Sequence, residues 1–164
     1  MKPFGRVAFT TLSIAFAGLI LLNGCSALPG FGNKLSGNRA FIKYWPPDPN
    51  SKELRLAVKD NIDMQGVITT AGSEYFLKTR KPAATDAACL EPARARNVQI
   101  VGKTNLTEFA ISPSGFNEYF GTPKNPLRKG IIPGLIPGGS SSGNAVALAS
   151  GMADAAFGTD IPPA

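Results

Sequence analysis

The sequence predicts an α/β fold with a parallel or mixed sheet. Short apolar runs at residues 54–58, 98–102 and 155–158 have the length and composition of strands. Segments with helical patterning lie between them, at residues 85–97 and 144–150. Strands and helices that alternate along a chain are typical of a sheet covered by helices.

The helix predicted at residues 85–97 has Thr85 and Asp86 as N-cap candidates and Asn97 as a stop. Pro92 lies inside this pattern and predicts a kink, because proline lacks the backbone N–H and clashes with the preceding turn. The strand at 98–102 follows directly. A long loop rich in Gly, Pro and Asn is predicted at 111–137, and Gly151 ends the second helix.

The composition excludes several classes of site. Histidine is absent, which excludes a Ser-His-Asp triad, a Cys-His pair and a His-ligated metal within these residues. Cys25 and Cys89 are too few for a four-cysteine zinc site, so no metal site is predicted. Cys89 falls in an apolar helical pattern and is interpreted as buried rather than reactive. The net charge of +6 comes from scattered basic residues without interleaved aromatics, so no nucleic-acid partner is predicted.

The N-terminus has the layout of a secretory signal. Lys2 and Arg6 precede an apolar run at 7–22, which is short for a membrane span. The following Leu-Asn-Gly-Cys resembles a bacterial lipobox, which implies cleavage of residues 1–24 and lipidation of Cys25. We therefore expect an exported, membrane-anchored lipoprotein of the periplasm or cell envelope. An uncleaved N-terminal anchor is the alternative.

Residues 25–50 are rich in Gly, Pro, Ser and Asn and are interpreted as a tether. Phe41, Tyr44 and Trp45 indicate that its far end docks on the domain. The domain itself is placed at residues 51–164.

Three polar elements follow strands or precede a helix. Lys59 directly follows the strand at 54–58, Gly-Gly-Ser-Ser-Ser-Gly at 138–143 precedes the second helix, and Gly-Thr-Asp-Ile at 158–161 follows the last strand. In open α/β sheets, ligands bind at the edge formed by the carboxyl ends of the strands. A helix N-terminus also presents free N–H groups. The Gly-Ser run taken alone is better explained as a flexible turn.

Four motifs in order carry a family resemblance. They are Val-Lys-Asp-Asn-Ile at 58–62, Ile-Val-Gly-Lys-Thr-Asn-Leu-Thr-Glu-Phe at 100–109, Pro-Gly-Gly-Ser-Ser-Ser-Gly at 137–143 and Phe-Gly-Thr-Asp at 157–160. Over about residues 54–161 the chain resembles the amidase signature family of serine hydrolases. The resemblance implies an α/β/α sandwich with a mixed sheet, a small-molecule carboxamide substrate, and C–N bond hydrolysis without a cofactor.

The resemblance also implies roles for individual residues. Lys59 matches the family's base, and Ser140 matches the bridging serine, which in the family sits on a cis peptide bond. Lys103 is the alternative base, but its setting matches a structural motif of the family, so Lys59 is favoured. Five further residues match supporting or substrate-binding positions: Gly138, Gly139, Ser141, Thr159 and Asp160.

The sequence departs from the family after Gly-Thr-Asp. The nucleophilic serine belongs 24 residues after Ser140, and position 164 is alanine. Pro162 and Pro163 lack the N–H groups with which the family's turn forms its oxyanion hole. We therefore expect an N-terminal part of the domain, incomplete at its C-terminus through truncation or frameshift and inactive as a hydrolase.

Two other interpretations stay open. One is a non-catalytic, surface-tethered protein that binds ligands in the residual amide pocket, and the other is a split enzyme completed by a second chain. Residues 116–121 are interpreted as a pocket wall or as core. The sequence indicates neither the particular amide nor the oligomeric state.

Overall fold

The computed structural model describes residues 37–127 and 135–160. They contain a four-stranded mixed sheet in the order β1-β3-β2-β4. Strand β2 is parallel to both neighbours, and β1 is antiparallel to β3. The strands are β1 Phe41–Tyr44, β2 Arg55–Lys59, β3 Gln99–Thr104 and β4 Ala155–Phe157. This confirms the predicted α/β class and the mixed sheet.

Three α-helices occur in the described ranges: α1 Glu74–Thr79, α2 Glu91–Ala95 and α3 Ser142–Ala149. Short 3-10 turns lie at Ala88–Leu90 and Glu108–Ala110. Helix α3 corresponds to the helix predicted at 144–150. Helix α1 was not predicted, and none of its residues is buried.

The side chains of β2 alternate between two apolar clusters, as successive side chains of a strand point to opposite faces. Ala57 packs in a cluster with Val146 of α3. Leu56 and Val58 pack in another with Ala93 of α2. All five are at most 6% exposed. Helices therefore cover both faces of the sheet, as in an α/β/α sandwich.

The prediction for residues 85–97 was wrong in detail. A 3-10 turn precedes α2, and Pro92 lies in the first turn of that helix instead of kinking a longer one. Proline is favoured there because its missing N–H has no intrahelical partner to lose. The shorter helix also changes the position of Cys89, which is exposed and not buried as predicted.

Strand β1 lies within the predicted tether. Trp45 N donates to Val101 O at 2.8 Å, and Phe41 is fully buried, with its ring centroid 4.8 Å from that of Tyr44. The predicted docking of these aromatics is confirmed, and it takes the form of an edge strand paired with β3.

No helix in residues 37–127 and 135–160 is long and apolar enough to cross a bilayer. The predicted signal at 1–24 and the lipidation site Cys25 lie outside the described residues. So do Pro162, Pro163 and Ala164.

Candidate active site

Lys59 is the last residue of β2 and is completely buried. Strand β2 lies between β3 and β4, so the lysine emerges at the carboxyl edge of three parallel strands. Its Nζ lies 2.7 Å from Ser140 Oγ and donates to Thr159 O at 2.7 Å. Two of the three predicted polar elements therefore converge on this amine.

Ser140 lies in a tight turn at the start of α3 and is 8% exposed. The peptide bond between Gly139 and Ser140 is cis, and Gly138 has φ of +78°. A Cβ on Gly139 would lie 2.7 Å from Gly115 N, so only glycine fits this close approach. Ser140 O accepts a hydrogen bond from Thr107 N at 3.1 Å, which ties the turn to the segment after β3.

Helix α3 is fixed against the sheet at Gly143. A Cβ at this position would lie 2.3 Å from Ala40 O and 2.4 Å from Asn105 N. Gly143 N donates to Asn105 O at 2.8 Å. Because the helix begins at Ser142, this contact sets the height of Ser140 above the carboxyl edge of the sheet.

Two asparagines, neither singled out in the sequence, hold the segment after β4. Asn61 Nδ2 donates to Thr159 Oγ1 at 2.7 Å, and Asn144 Nδ2 donates to Phe157 O at 3.0 Å. They keep the carbonyl of Thr159 beside Lys59. Asn61 stands two residues after the lysine in the Val-Lys-Asp-Asn motif, and this place in the motif could have identified it from the sequence.

Burial lowers the pKa of the Lys59 amine, since a charged ammonium is costly away from water. The negative charge of Asp160 opposes this effect by favouring the charged form. The net direction is downward, which favours a neutral amine. A neutral amine next to a hydroxyl can accept its proton, which is what general-base chemistry requires.

A cavity of about 230 Å³ opens beside the Lys59–Ser140 contact. Its wall contains every predicted supporting residue: Gly138, Gly139, Ser141, Thr159 and Asp160, together with Ser140, Pro137 and Ala145. Residues 116–121 do not contribute to this wall. Phe120 instead packs in a core cluster with Ile42 and Leu106. Phe116 and Tyr119 are exposed, so the core interpretation holds for only part of that segment.

Lys103 occupies a different environment from Lys59. Its Nζ lies 3.0 Å from Asp60 Oδ1, and both side chains are 1% exposed. It also donates to Ile62 O at 2.6 Å. The alternative base is thus engaged in a buried ion pair. Within the described ranges, no group of three or more His, Cys, Asp or Glu side chains could hold a metal.

A family model described as Amidase matches residues 53–162. The chain belongs to the amidase signature family. Amidase 1 of Oryza sativa subsp. japonica is 40% identical over 119 residues, which cover 70% of this chain and 26% of the relative. A glutamyl-tRNA(Gln) amidotransferase subunit of Streptococcus sanguinis is 45% identical over 105 residues, covering 64% of this chain and 20% of the relative.

The fold agrees with this amidase family membership. The crystal structure of a glutamyl-tRNA(Gln) amidotransferase subunit from Thermotoga maritima has a TM-score of 0.61 at 32% identity, and the match covers 73% of this chain and 26% of that one. The chain thus spans about a quarter or less of the length of these amidase relatives. The matched region contains both Lys59 and Ser140.

Proposed function

We propose that this chain carries the base and the bridging serine of a carboxamide hydrolase with a Ser-Ser-Lys mechanism. The observation that supports this best is the 2.7 Å contact between Lys59 Nζ and Ser140 Oγ, made by a fully buried lysine with a lowered pKa. The adjoining cavity is large enough for a small amide group. Membership of the amidase family supplies the reaction class.

In the proposed relay, neutral Lys59 accepts the hydroxyl proton of Ser140 while Ser140 accepts the proton of a nucleophilic serine hydroxyl. The nucleophile's oxygen bonds to the amide carbon, and the relayed proton passes to the leaving nitrogen as the C–N bond breaks. Water then attacks the resulting ester and gives up a proton along the same path; the ester C–O bond to the nucleophile breaks, and that proton returns to the nucleophile's oxygen. The products are a carboxylic acid and ammonia or an amine, and both serines and the lysine return to their starting forms.

A titration of Lys59 tests the relay independently of turnover. NMR of the full chain with ¹³C-labelled lysine would follow its Cε signal against pH, with Lys59→Met identifying the signal. We expect its midpoint to lie below the ordinary lysine value of about 10.4. A midpoint at the ordinary value would contradict the proposal, because the amine would then be charged at neutral pH. Exposed Lys81 is the matched control.

We infer further that a chain with Ala164 at the nucleophile position does not turn over amides. Alanine has no hydroxyl to form an acyl-enzyme. Pro162 and Pro163 add to this, since loss of one oxyanion donor typically costs about 10²–10³ in rate. The test is ammonia release from small carboxamides by the full chain, with Lys59→Ala as control. Turnover above that control would refute the inference.

The second candidate function is binding of an amide ligand without hydrolysis. The polar cavity between the Gly138–Ser141 turn and Asp160 favours it, because such a cavity persists without a nucleophile. Acetamide would be titrated into the ¹⁵N-labelled chain. Saturable shifts confined to these residues would support binding, and their absence would exclude it for that ligand.

We also propose export and attachment to the membrane through a lipid on Cys25. The charged start, apolar run and Leu-Asn-Gly-Cys ending support this. Mass spectrometry of the chain from a bacterial membrane fraction should show an N-terminal lipidated cysteine. Cys25→Ser should abolish the modification, and an unmodified wild-type N-terminus at Met1 would contradict the proposal.

A further inference from the structure

A buried ion pair lies directly behind the lysine of the candidate active site. Asp60 follows Lys59 in the chain, and Lys103 lies on the adjacent strand β3. The two side chains meet at 3.0 Å and are each 1% exposed. A pair buried this deeply is weak evidence for stabilisation, since the cost of removing both charges from water offsets their attraction. The proposed relay does not use it.

The pair ties together the turn that follows Lys59. Asp60 Oδ2 accepts hydrogen bonds from the backbone N–H of Thr70, at 3.1 Å, and from its hydroxyl. Lys103 Nζ reaches Ile62 O at 2.6 Å, so one ammonium bridges both ends of the turn. The Asp60 carboxylate is thereby fixed to two separate segments of the chain.

The backbone of the same turn is equally constrained. Asp60 N donates to Thr104 O at 3.1 Å, and Asp60 O accepts from Ala71 N at 2.9 Å. Ile62 N donates to Lys59 O at 2.9 Å. The direction in which the Lys59 side chain leaves the sheet therefore depends on these contacts. Displacements of about 1 Å at a reacting group can cost 10²-fold in rate.

We infer that the Asp60–Lys103 ion pair is a positioning device that holds Lys59 Nζ against Ser140 Oγ and out of water. Both residues act through Lys59 and neither contacts the cavity. This inference rests on the proposed function, because it assigns a purpose to the placement of the base.

The variant Asp60→Asn in the full chain distinguishes a positional effect on Lys59 from a purely electrostatic one. Removing a negative charge near Lys59 would, by electrostatics alone, lower the midpoint of Lys59 further. Loss of position releases the amine into the adjacent cavity, where hydration moves the midpoint upward toward the ordinary value of about 10.4. We expect the upward shift by ¹³C lysine NMR, and Asp60→Glu, which keeps the carboxylate, should restore part of the wild-type midpoint. A downward shift or no shift would overturn the inference.

Two further variants complete the design. Thr70→Val removes one donor to the Asp60 carboxylate and leaves the ion pair in place, so it should give a smaller upward shift. If Asp60→Asn does not fold, the shift of the Lys59 midpoint in Thr70→Val tests the inference in its place. Asp154→Asn breaks an exposed ion pair at the opposite end of β2 and should leave Lys59 unchanged. A wild-type midpoint at the ordinary value would instead refute the proposed function itself.

Discussion

The carboxyl ends of β2 and β3 each present a buried lysine, and the two lysines differ in what they contact. Lys103 faces the carboxylate of Asp60, whereas Lys59 faces a hydroxyl and a carbonyl oxygen. A carboxylate in direct contact stabilises the ammonium form, whereas burial lowers the pKa of Lys59 despite the nearby charge of Asp160. Adjacent positions on one sheet edge can therefore hold a structural cation and a candidate base.

Lys103→Met should produce the largest loss of stability. It leaves the carboxylate of Asp60 buried without its partner, and breaking a buried pair in this way typically costs about 3–5 kcal/mol. Burial raises the pKa of Asp60, so the loss should be smaller in acid, where the carboxyl is protonated, and grow as the pH rises. Urea unfolding of the full chain at several pH values measures this. Exposed Lys81→Met is the control. An equal loss of stability in Lys103→Met and Lys81→Met would contradict the structural role of Lys103.

Lys59→Met should change the free energy of unfolding much less, within about 1 kcal/mol. The variant gives up two hydrogen bonds worth about 0.5–1.5 kcal/mol each but also removes a buried amine that is costly to keep away from water. Thr159 is exposed and Ser140 borders the cavity, so water can replace the lost partner. The same urea unfolding at neutral pH is the measurement. A loss as large as that of Lys103→Met would show that Lys59 has a structural role.

The pH dependence of stability should also separate the wild-type chain from Lys59→Met. The pKa of Lys59 is lowered in the folded state, so the unfolded chain binds more protons and stability rises with pH. The rise begins at the lowered folded pKa and ends near the unfolded value of about 10.4. Thermal unfolding of both chains across this range gives the difference. If the difference in stability between the two chains did not change with pH, folding would leave the pKa of Lys59 unperturbed.

The smallest effect is expected at the amino end of β2, where Arg55 and Asp154 form an exposed ion pair. Arg55 lowers the pKa of Asp154 from 3.8 to about 2. The stabilising contribution is complete above 3.8 and is lost as the pH falls through about 2. Added salt should weaken it, unlike the buried pair. A ¹³C titration of the Asp154 carboxyl with and without 1 M salt tests this, and a salt-independent midpoint would contradict it.

The sequence predicted the α/β class with its mixed sheet, and it placed Lys59 and Ser140 at one edge of that sheet, but it did not predict every element of the fold. Lys59 and Ser140 each belong to a local motif whose position at a strand end or helix start places it on the sheet edge. Strand β1 was missed because its four residues lie in a Gly- and Pro-rich stretch and depend on distant pairing with β3. Cys89 was misplaced because the helical pattern did not reveal that Pro92 begins a helix instead of interrupting one.

The close approach of Gly143 to Ala40 has a consequence for where a foreign N-terminal segment could be joined to the folded part. Helix α3, which follows the turn that carries Ser140, packs at Gly143 against Ala40, the residue that immediately precedes β1. This support therefore lies inside the segment 25–50 that was interpreted as a tether. A junction that keeps Asn38 retains this support, because Ala40 N donates to Asn38 Oδ1 at 3.1 Å. A junction at residue 50 would remove Ala40 and strand β1, and with them the packing that supports the Ser140 turn, while every motif residue stayed in the chain.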